Sequence, residues 1–437
     1  MDEAVSSALS WASAETWEEG QAFLGYPYLA SLAQRPEYRR GVEVIAREMT
    51  RKWIRVRATG TKDADKAERI RALEAAVARY GLQDLFRRVA EIDGFFGRAH
   101  LFIDVAGRDA AVPLVDLSKS IKQGDVVRFR TVEPMWTYPA AYNSTDPLAK
   151  DFYRPQAWYV MGRTIHASRL LTFVGREVPD VLKPSYSFGG LSLTQMAKPY
   201  VDNWLRTRQS VSDLLHSFSV SGVKTDMSSI MAGEAGQDVA TRAELFNAYR
   251  DNRGLMLLHN GDGAGVPAEE FFNVSTPLST LDNLQAQSQE QLASVLAIPL
   301  VKFLGIQPAG MNASSDGEIR VFYDSIHSEQ EDRFREPLTT VLQVIQMAEF
   351  GAIDPEIGFT FEPLWQMDEA ARATIRKSDA DAAAVYINAG VLSPEEERER
   401  IASDEDSLYP SLDIDDVPEA PDDEGPGDDE EADQPGR

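Results

Sequence analysis

Five histidines, His100, His166, His216, His259 and His327, are the side chains best suited to bind a metal or move a proton near neutral pH. No two stand at His-x-His or His-x-x-x-His spacing, so each reads as a surface residue of a strand or helix rather than as a metal ligand. The serine of "GGLSLT" approaches the Gly-x-Ser-x-Gly elbow of hydrolases but lacks the second glycine. A Gly-x4-Gly-Lys-Ser/Thr phosphate loop is absent. The glycines of "HNGDGAG" are not followed at once by a helix start, which makes a hairpin turn the better reading than a phosphate cradle. The acidic run "DDEGPGDDEEAD" has the composition of a solvated tail more than of an ion site. Nothing in this set demands an enzyme, a cofactor or a metal.

Composition narrows the partners. The 437 residues carry 70 acidic against 44 basic side chains, a net charge of −26. From Asp404 to Arg437 there are fifteen Asp or Glu and one Arg, so the tail holds −14 and the rest −12. A free nucleic-acid reader usually shows a basic patch or a high isoelectric point, and this chain shows neither. At 43% hydrophobic and 9% aromatic it is globular. The absence of cysteine excludes disulfides and thiolate metal sites and fits a reducing cytoplasm. No apolar run reaches the roughly 18 residues of a membrane span, and "MDEAVSSALSWASAE" lacks the basic start of a signal peptide, so a soluble intracellular protein is expected.

The elements that position these residues form an α+β order. The first thirty residues are polar and Ala/Ser-rich, with Trp11 and Trp17 as anchors of a partly ordered arm. Apolar spacing predicts helices over 36–50, 64–79 and 82–92, ahead of any clear strand. "AHLFIDVAG", "DVVRFRTVEP", "PQAWYVMG" and "RLLTFVGREV" read as strands. A capping box of Ser192 with Gln195 opens an amphipathic helix of about 26 residues, about 39 Å long, which Pro199 should kink. A small α/β insertion fills 219–278. A Gln-rich helix follows to about Ala297 and stops at Ile298-Pro299. Ser315 and Glu318 cap the next helix, which runs to about Met347 and carries a kink at Pro337. "IGFTFEPLW" returns as a strand. The chain closes on a helical pair around Gly390, with Ser393, Pro394 and Glu396 as cap, first-turn proline and capping box. Beyond Ser403 the composition predicts disorder.

This order, with "RTIHASRLLTF", "GGLSLTQMAKPYVDNWL", "QSQEQLASVLAIPLVKFLGI" and "YINAGVLSPEEERERIA", resembles the portal proteins of tailed double-stranded DNA bacteriophages over residues 20 to 403. The resemblance implies a division into arm and wing at 1–190, first stem helix at 191–218, clip at 219–278 and second stem helix at 279–299. It further implies a tunnel loop at 300–315, a long kinked helix and wing return strand at 316–365, a short crown at 366–403 and an acidic tail at 404–437. It implies a ring, dodecameric in the family, at one capsid vertex of the virion, assembled in the host cytoplasm. Its implied partners are double-stranded DNA in non-specific transit, the terminase large subunit, a head-completion or adaptor protein, and the major capsid and scaffolding proteins, with no membrane. The implied tunnel-loop residues are Lys302, Gln307, Met311, Asn312 and Ser314. Those of the stem channel are Lys198, Arg206, Arg208, Gln285 and Gln289, and those of the clip are Arg250, Asn260, Asp262, Glu269 and Glu270. The cations among them serve either weak DNA contacts or inter-subunit salt bridges. A conduit must avoid gripping, since tight phosphate contacts would stall sliding, and glutamine-rich or acidic walls leave DNA mobile.

Two other readings stand beside it. Some related phage chains are named for cyclic-oligonucleotide phosphodiesterases that blunt bacterial defence and use paired His-x-Thr motifs. Here the residues two after each histidine are Phe102, Ser168, Phe218, Gly261 and Glu329, so that motif is missing. The other alternative is a non-portal virion connector.

Overall fold

The computed structural model describes residues 22–58, 64–216, 219–224, 241, 270–275, 281–306, 316–365 and 369–403. The chain divides into two compact units, residues 1–364 and 365–437. The described residues form a mixed helix and sheet structure, as expected.

The first unit begins with a helix that the polar composition of the first thirty residues hides. Helix α1, Tyr26–Leu32, starts on Pro27 and buries Leu29 completely. The last residues of the expected partly ordered arm, 26–30, are thus helical and continue into the body. Helix α2, Pro36–Arg51, has proline at its first position, where the missing amide costs no hydrogen bond. Its stripe of Tyr38, Val42, Ile45 and Met49 is buried against a later helix. Strand β1, Ile54–Ala58, was not foreseen; Arg55 and Arg57 interrupt its short apolar pattern. Helix α3 spans Ala64–Arg79, and α4 spans Leu82–Phe96. Gly94 lets α2 and α4 approach, since a Cβ there would lie 2.5 Å from Val42 Cγ1.

Strand β2, Ala99–Val105, is the centre of a three-stranded antiparallel sheet. After a short helical turn α5, Leu117–Ser120, strand β3, Val127–Val132, pairs with it on one side. A second antiparallel sheet holds β4, Thr137–Tyr142, β5, Pro155–Val160, and β6, Arg163–His166. Strand β7, Leu170–Phe173, then returns to the free side of β2. The second sheet packs Trp158 and Ile165 against Leu170 and Phe188, with Phe102 and Val132 beside them.

Helix α6, Leu193–His216, has 24 residues and carries Pro199 inside it. Its expected capping box is half made. Ser192 Oγ accepts from the Gln195 amide at 3.0 Å, but the Gln195 side chain turns away to donate to the Ala22 carbonyl, also at 3.0 Å. Strands β8, Ser219–Lys224, and β9, Glu270–Ser275, pair antiparallel. Helix α7 runs Leu281–Val295; Ala297 takes a positive φ of 52°, and Pro299 caps a single turn, α8, Leu300–Phe303. Helix α9, Asp316–Phe350, continues through Pro337 for 35 residues. Strand β10, Ile357–Phe361, closes the unit by pairing with β1 across some three hundred residues of chain. The outer carbonyl of Phe359 accepts from Arg335 Nη1 of α9 at 2.7 Å, which covers a sheet edge that would otherwise offer itself for pairing.

In the second unit, α10, Glu369–Asn388, ends on Gly390 with φ 67°, and α11, Pro394–Ser403, follows. Here the expected capping box is complete. The Ser393 amide donates to Glu396 Oε2 at 2.9 Å, and the Glu396 amide donates to Ser393 Oγ at 3.2 Å.

Candidate functional site

The site begins at the root of two helices. Leu193, Ala197 and Val201 of α6, Leu292 and Ala293 of α7 and Leu296 just past its end are buried in the body. Beyond that root no residue from 202 to 213 is buried, and Trp204, Leu205 and Val211 are half-exposed. On α7, Leu284 is 49% exposed. Between the helices lies a groove of about 570 Å³ lined by Arg206, Ser210, Val211, Leu284, Gln287 and Gln291. Two helices thus leave the body carrying apolar residues that one subunit does not cover.

The expected stem residues do not behave alike. Arg206 is exposed, and Gln285 and Gln289 are half-buried one turn apart on α7. Arg208 stands 3.7 Å from Glu37 and 5.7 Å from the Trp204 ring, so its charge is already answered by α2. Lys198 differs from these. It is 5% exposed, and its Nζ lies 2.9 Å from Asp202 Oδ2, while the Tyr38 hydroxyl donates to Asp202 Oδ1 at 2.5 Å. Burial and the Asp202 carboxylate push the Tyr38 phenol up, which keeps it a donor. Lys198 therefore pins the helix root rather than lining an open wall.

Lys302 is likewise engaged within the subunit. It lies in α8, and its Nζ is 3.0 Å from Glu48 Oε1 of α2. Burial would lower its pKa, but Tyr323 and Glu48 outweigh it and hold the amine above its ordinary range, so it is a fixed cation. Gln307, Met311, Asn312 and Ser314, and Arg250, Asn260, Asp262 and Glu269, lie outside the described residues, as does the "HNGDGAG" turn. Glu270 opens β9 opposite Lys224 of β8.

A second concavity, of about 430 Å³, opens between α9 and the joined sheets. Its charged lining is Arg154, Lys183 and Arg333 against Glu177, Asp332 and Glu336, a balance that favours no ligand of one sign. Behind it sits a residue that pattern reading misplaced. His100 is wholly buried, not a surface histidine. Its Nδ1 is 3.1 Å from Thr172 Oγ1, and its ring meets Trp158 edge-on at 4.6 Å. Burial, and next the Arg98 cation, hold its pKa well below the usual histidine range.

This has a sign that can be tested. The folded state keeps His100 neutral while the unfolded chain takes up a proton below about pH 6.5, so stability is full above that pH and lost as pH falls. The slope should approach about 1.4 kcal/mol per pH unit for this one group. Urea denaturation from pH 7 to 5 should show this loss, and His100→Gln should flatten the dependence by that amount; an unchanged slope would mean that His100 is protonated in the fold.

Residues 26–385 match the family model described as phage portal protein. The chain belongs to the phage portal protein family. Among curated relatives, an anti-CBASS protein Acb1 of Sphingomonas paeninsulae is 25% identical over 388 residues, covering 86% of this chain and 60% of that protein. Another, from Caulobacter sp. strain RHG1, is 26% identical over 353 residues, covering 78% of this chain and 55% of that one. This portal-family chain therefore spans only about 55–60% of the length of these two relatives. A chain from the neck of a native GTA particle, computed with C12 symmetry, aligns with a TM-score of 0.48 at 16% identity, over 87% of this chain and 95% of that one.

Proposed function

We propose that the chain is a portal subunit that assembles into a ring, of twelve copies in the family pattern, at one vertex of a phage or phage-like capsid. In this reading residues 1–190 and the return strand form the wing, α6 and α7 the stem, and 219–278 the clip that meets terminase and an adaptor. The segment 300–315 narrows the channel, 366–403 is the crown, and 404–437 is a solvated tail. Genome packaging and ejection pass through the ring, and no chemistry is performed on the DNA.

The observation that carries the reading is the uncovered outer half of the α6–α7 pair. Apolar side chains buried on ring closure contribute about 25 cal/mol per Å² of apolar surface, a term a monomer forgoes. Trp204, Leu205, Val211 and Leu284 are the residues that would supply it. Sedimentation velocity of the purified chain should show a closed oligomer, and negative-stain images should show an annulus with a central hole. Leu284→Glu should shift the population strongly toward smaller species while leaving the melting of the subunit body within a few degrees. Monomer at every concentration and salt would end the portal reading.

A second reading follows from the names of the curated relatives. An anti-CBASS role for this chain would need chemistry that its histidines do not offer in His-x-Thr spacing. Hydrolysis of cyclic oligonucleotides by the purified chain would favour that reading.

A further inference from the structure

The short helix α8, which the portal reading places in the channel segment 300–315, is held by a buried carboxylate of α2. Glu48 of α2 is 7% exposed, and both its oxygens are engaged. Oε1 is 3.0 Å from Lys302 Nζ in α8, and Oε2 accepts from Arg51 Nε at 2.6 Å. Arg51 reaches on, donating through Nη2 to the Leu364 carbonyl at 3.1 Å, at the last residue of the first unit. Both cations lie against one ring of α9, with Lys302 Nζ 5.1 Å and Arg51 Cζ 5.2 Å from the centre of Tyr323. Arg40, on the same helix α2, donates to the Phe303 carbonyl that ends α8, at 3.3 Å.

The chemistry of this cluster is unequal. Lys302 and Arg51 are like charges brought to one aromatic ring, and Glu48 is the carboxylate that contacts both of them. Glu48 is the buried member of the cluster, while the Arg51 and Lys302 side chains are 37% and 28% exposed, so without the negative charge of Glu48 the two cations would turn to solvent instead of holding their elements to it. A cation–π contact of about 1–2 kcal/mol to Tyr323 would not hold both. The carboxylate is therefore what keeps α8, the first third of α9 and the Leu364 outlet in one register.

We propose that Glu48 is a positioning residue for the channel constriction, coupling α8 to the first turns of α9 around Tyr323 and to the Leu364 carbonyl. The consequence for DNA rests on the portal reading; the coupling itself does not.

The test uses the full chain with Glu48→Gln, which keeps the shape and removes the charge, and Lys302→Met as a second variant that leaves Glu48 paired with Arg51. Amide exchange is measured over 300–306, 318–326 and 360–364, with α4 at 82–96 as the internal control. For Glu48→Gln, exchange should rise about tenfold in all three segments together, the scale expected for loss of a charge-assisted pair, and stay unchanged in α4. Lys302→Met should raise exchange in the first two segments and spare 360–364. Faster exchange confined to 300–306 in Glu48→Gln would overturn the proposal, because Glu48 would then be a local ion pair. If Glu48→Gln does not fold, the segment pattern of Lys302→Met decides, and exchange there spreading uniformly through α4 would count against positioning. In particles, Glu48→Gln rings should form in normal yield but retain severalfold less DNA. Full retention despite the exchange pattern would overturn the functional half. Failure of the parent chain to form particles would count against the portal reading alone.

Discussion

Gly97→Ala should leave almost no folded subunit, whereas Gly81→Ala should cost only about 1 kcal/mol, the ordinary penalty for a side chain in the left-handed region. Both glycines flank α4 with positive φ, 78° at Gly97 and 60° at Gly81. They differ in what stands around them. At Gly81 an added Cβ meets nothing within 4 Å, but at Gly97 it would lie 2.1 Å from the Gly190 carbonyl oxygen and 3.1 Å from the Ser192 amide nitrogen. Those atoms cannot step aside. The Gly190 amide donates to the Gly97 carbonyl at 2.7 Å, and a Cβ on Gly190 would itself lie 2.0 Å from the Arg176 carbonyl oxygen, so two backbones cross with no room for a side chain. The crossing sets the α4 to β2 turn against the residues that lead into α6. Opening it would cost backbone strain and broken hydrogen bonds, together about 4 kcal/mol or more, which consumes most of the stability of a domain at the low end of the roughly 5–15 kcal/mol range. Chemical denaturation of the two variants beside the parent checks this. Equal, small losses at both positions would show that the crossing is soft.

Much of this was readable before any coordinates, and the reasons differ by element. Helices α2, α4 and α9 bury one side, so their apolar residues recur at helical spacing and declare themselves. Strand β1 did not. Its partner β10 lies some three hundred residues away, and its alternation is only five residues long. The Ser393–Glu396 capping box formed as spelled, while the identical logic at Ser192–Gln195 failed because a tertiary partner, the Ala22 carbonyl, competed for the glutamine. His100 was misplaced for a similar reason, since its burial is imposed by Trp158 from another sheet. Lys198 and Lys302 carry the same lesson for the site. A lysine on an amphipathic helix looks available to DNA until Asp202 and Glu48, which no local spacing reveals, are seen holding it. The family match extends over residues 26–385, far more of the chain than any of these local features.

Arg98 should prove the costliest single side chain to replace. It is fully buried at the joint of the two sheets, and its Nη2 lies 3.0 Å from the Pro134 carbonyl, 3.1 Å from the Thr137 carbonyl and 2.7 Å from Thr137 Oγ1. Nη1 donates to the Ser187 carbonyl, and the guanidinium lies over Trp158 with Cζ 4.5 Å from the ring. Two terms oppose each other. Burial pushes its pKa down to about 10, and the distance from 12.5 corresponds to roughly 3 kcal/mol against the cation, which Arg98→Met would recover. The methionine would also take the Arg98 donor from the Thr137 and Ser187 carbonyls, at about 1–3 kcal/mol for each group left unpaired, whereas the Pro134 carbonyl keeps the Thr137 hydroxyl as a donor at 3.0 Å; it would further give up a desolvated cation–π contact of about 2 kcal/mol. The losses exceed the recovery, so Arg98→Met should destabilise the fold by about 3 kcal/mol. Arg98→Lys tests the reason. Lysine keeps the charge but is a point donor that cannot span acceptors from residues 134, 137 and 187 at once, so it should recover little of the loss. Denaturant midpoints for the three proteins measure both effects. If Arg98→Lys returned the midpoint to the parent value, charge alone would be what the joint requires; if Arg98→Met matched the parent, the guanidinium's contacts would contribute nothing net to holding the two sheets together.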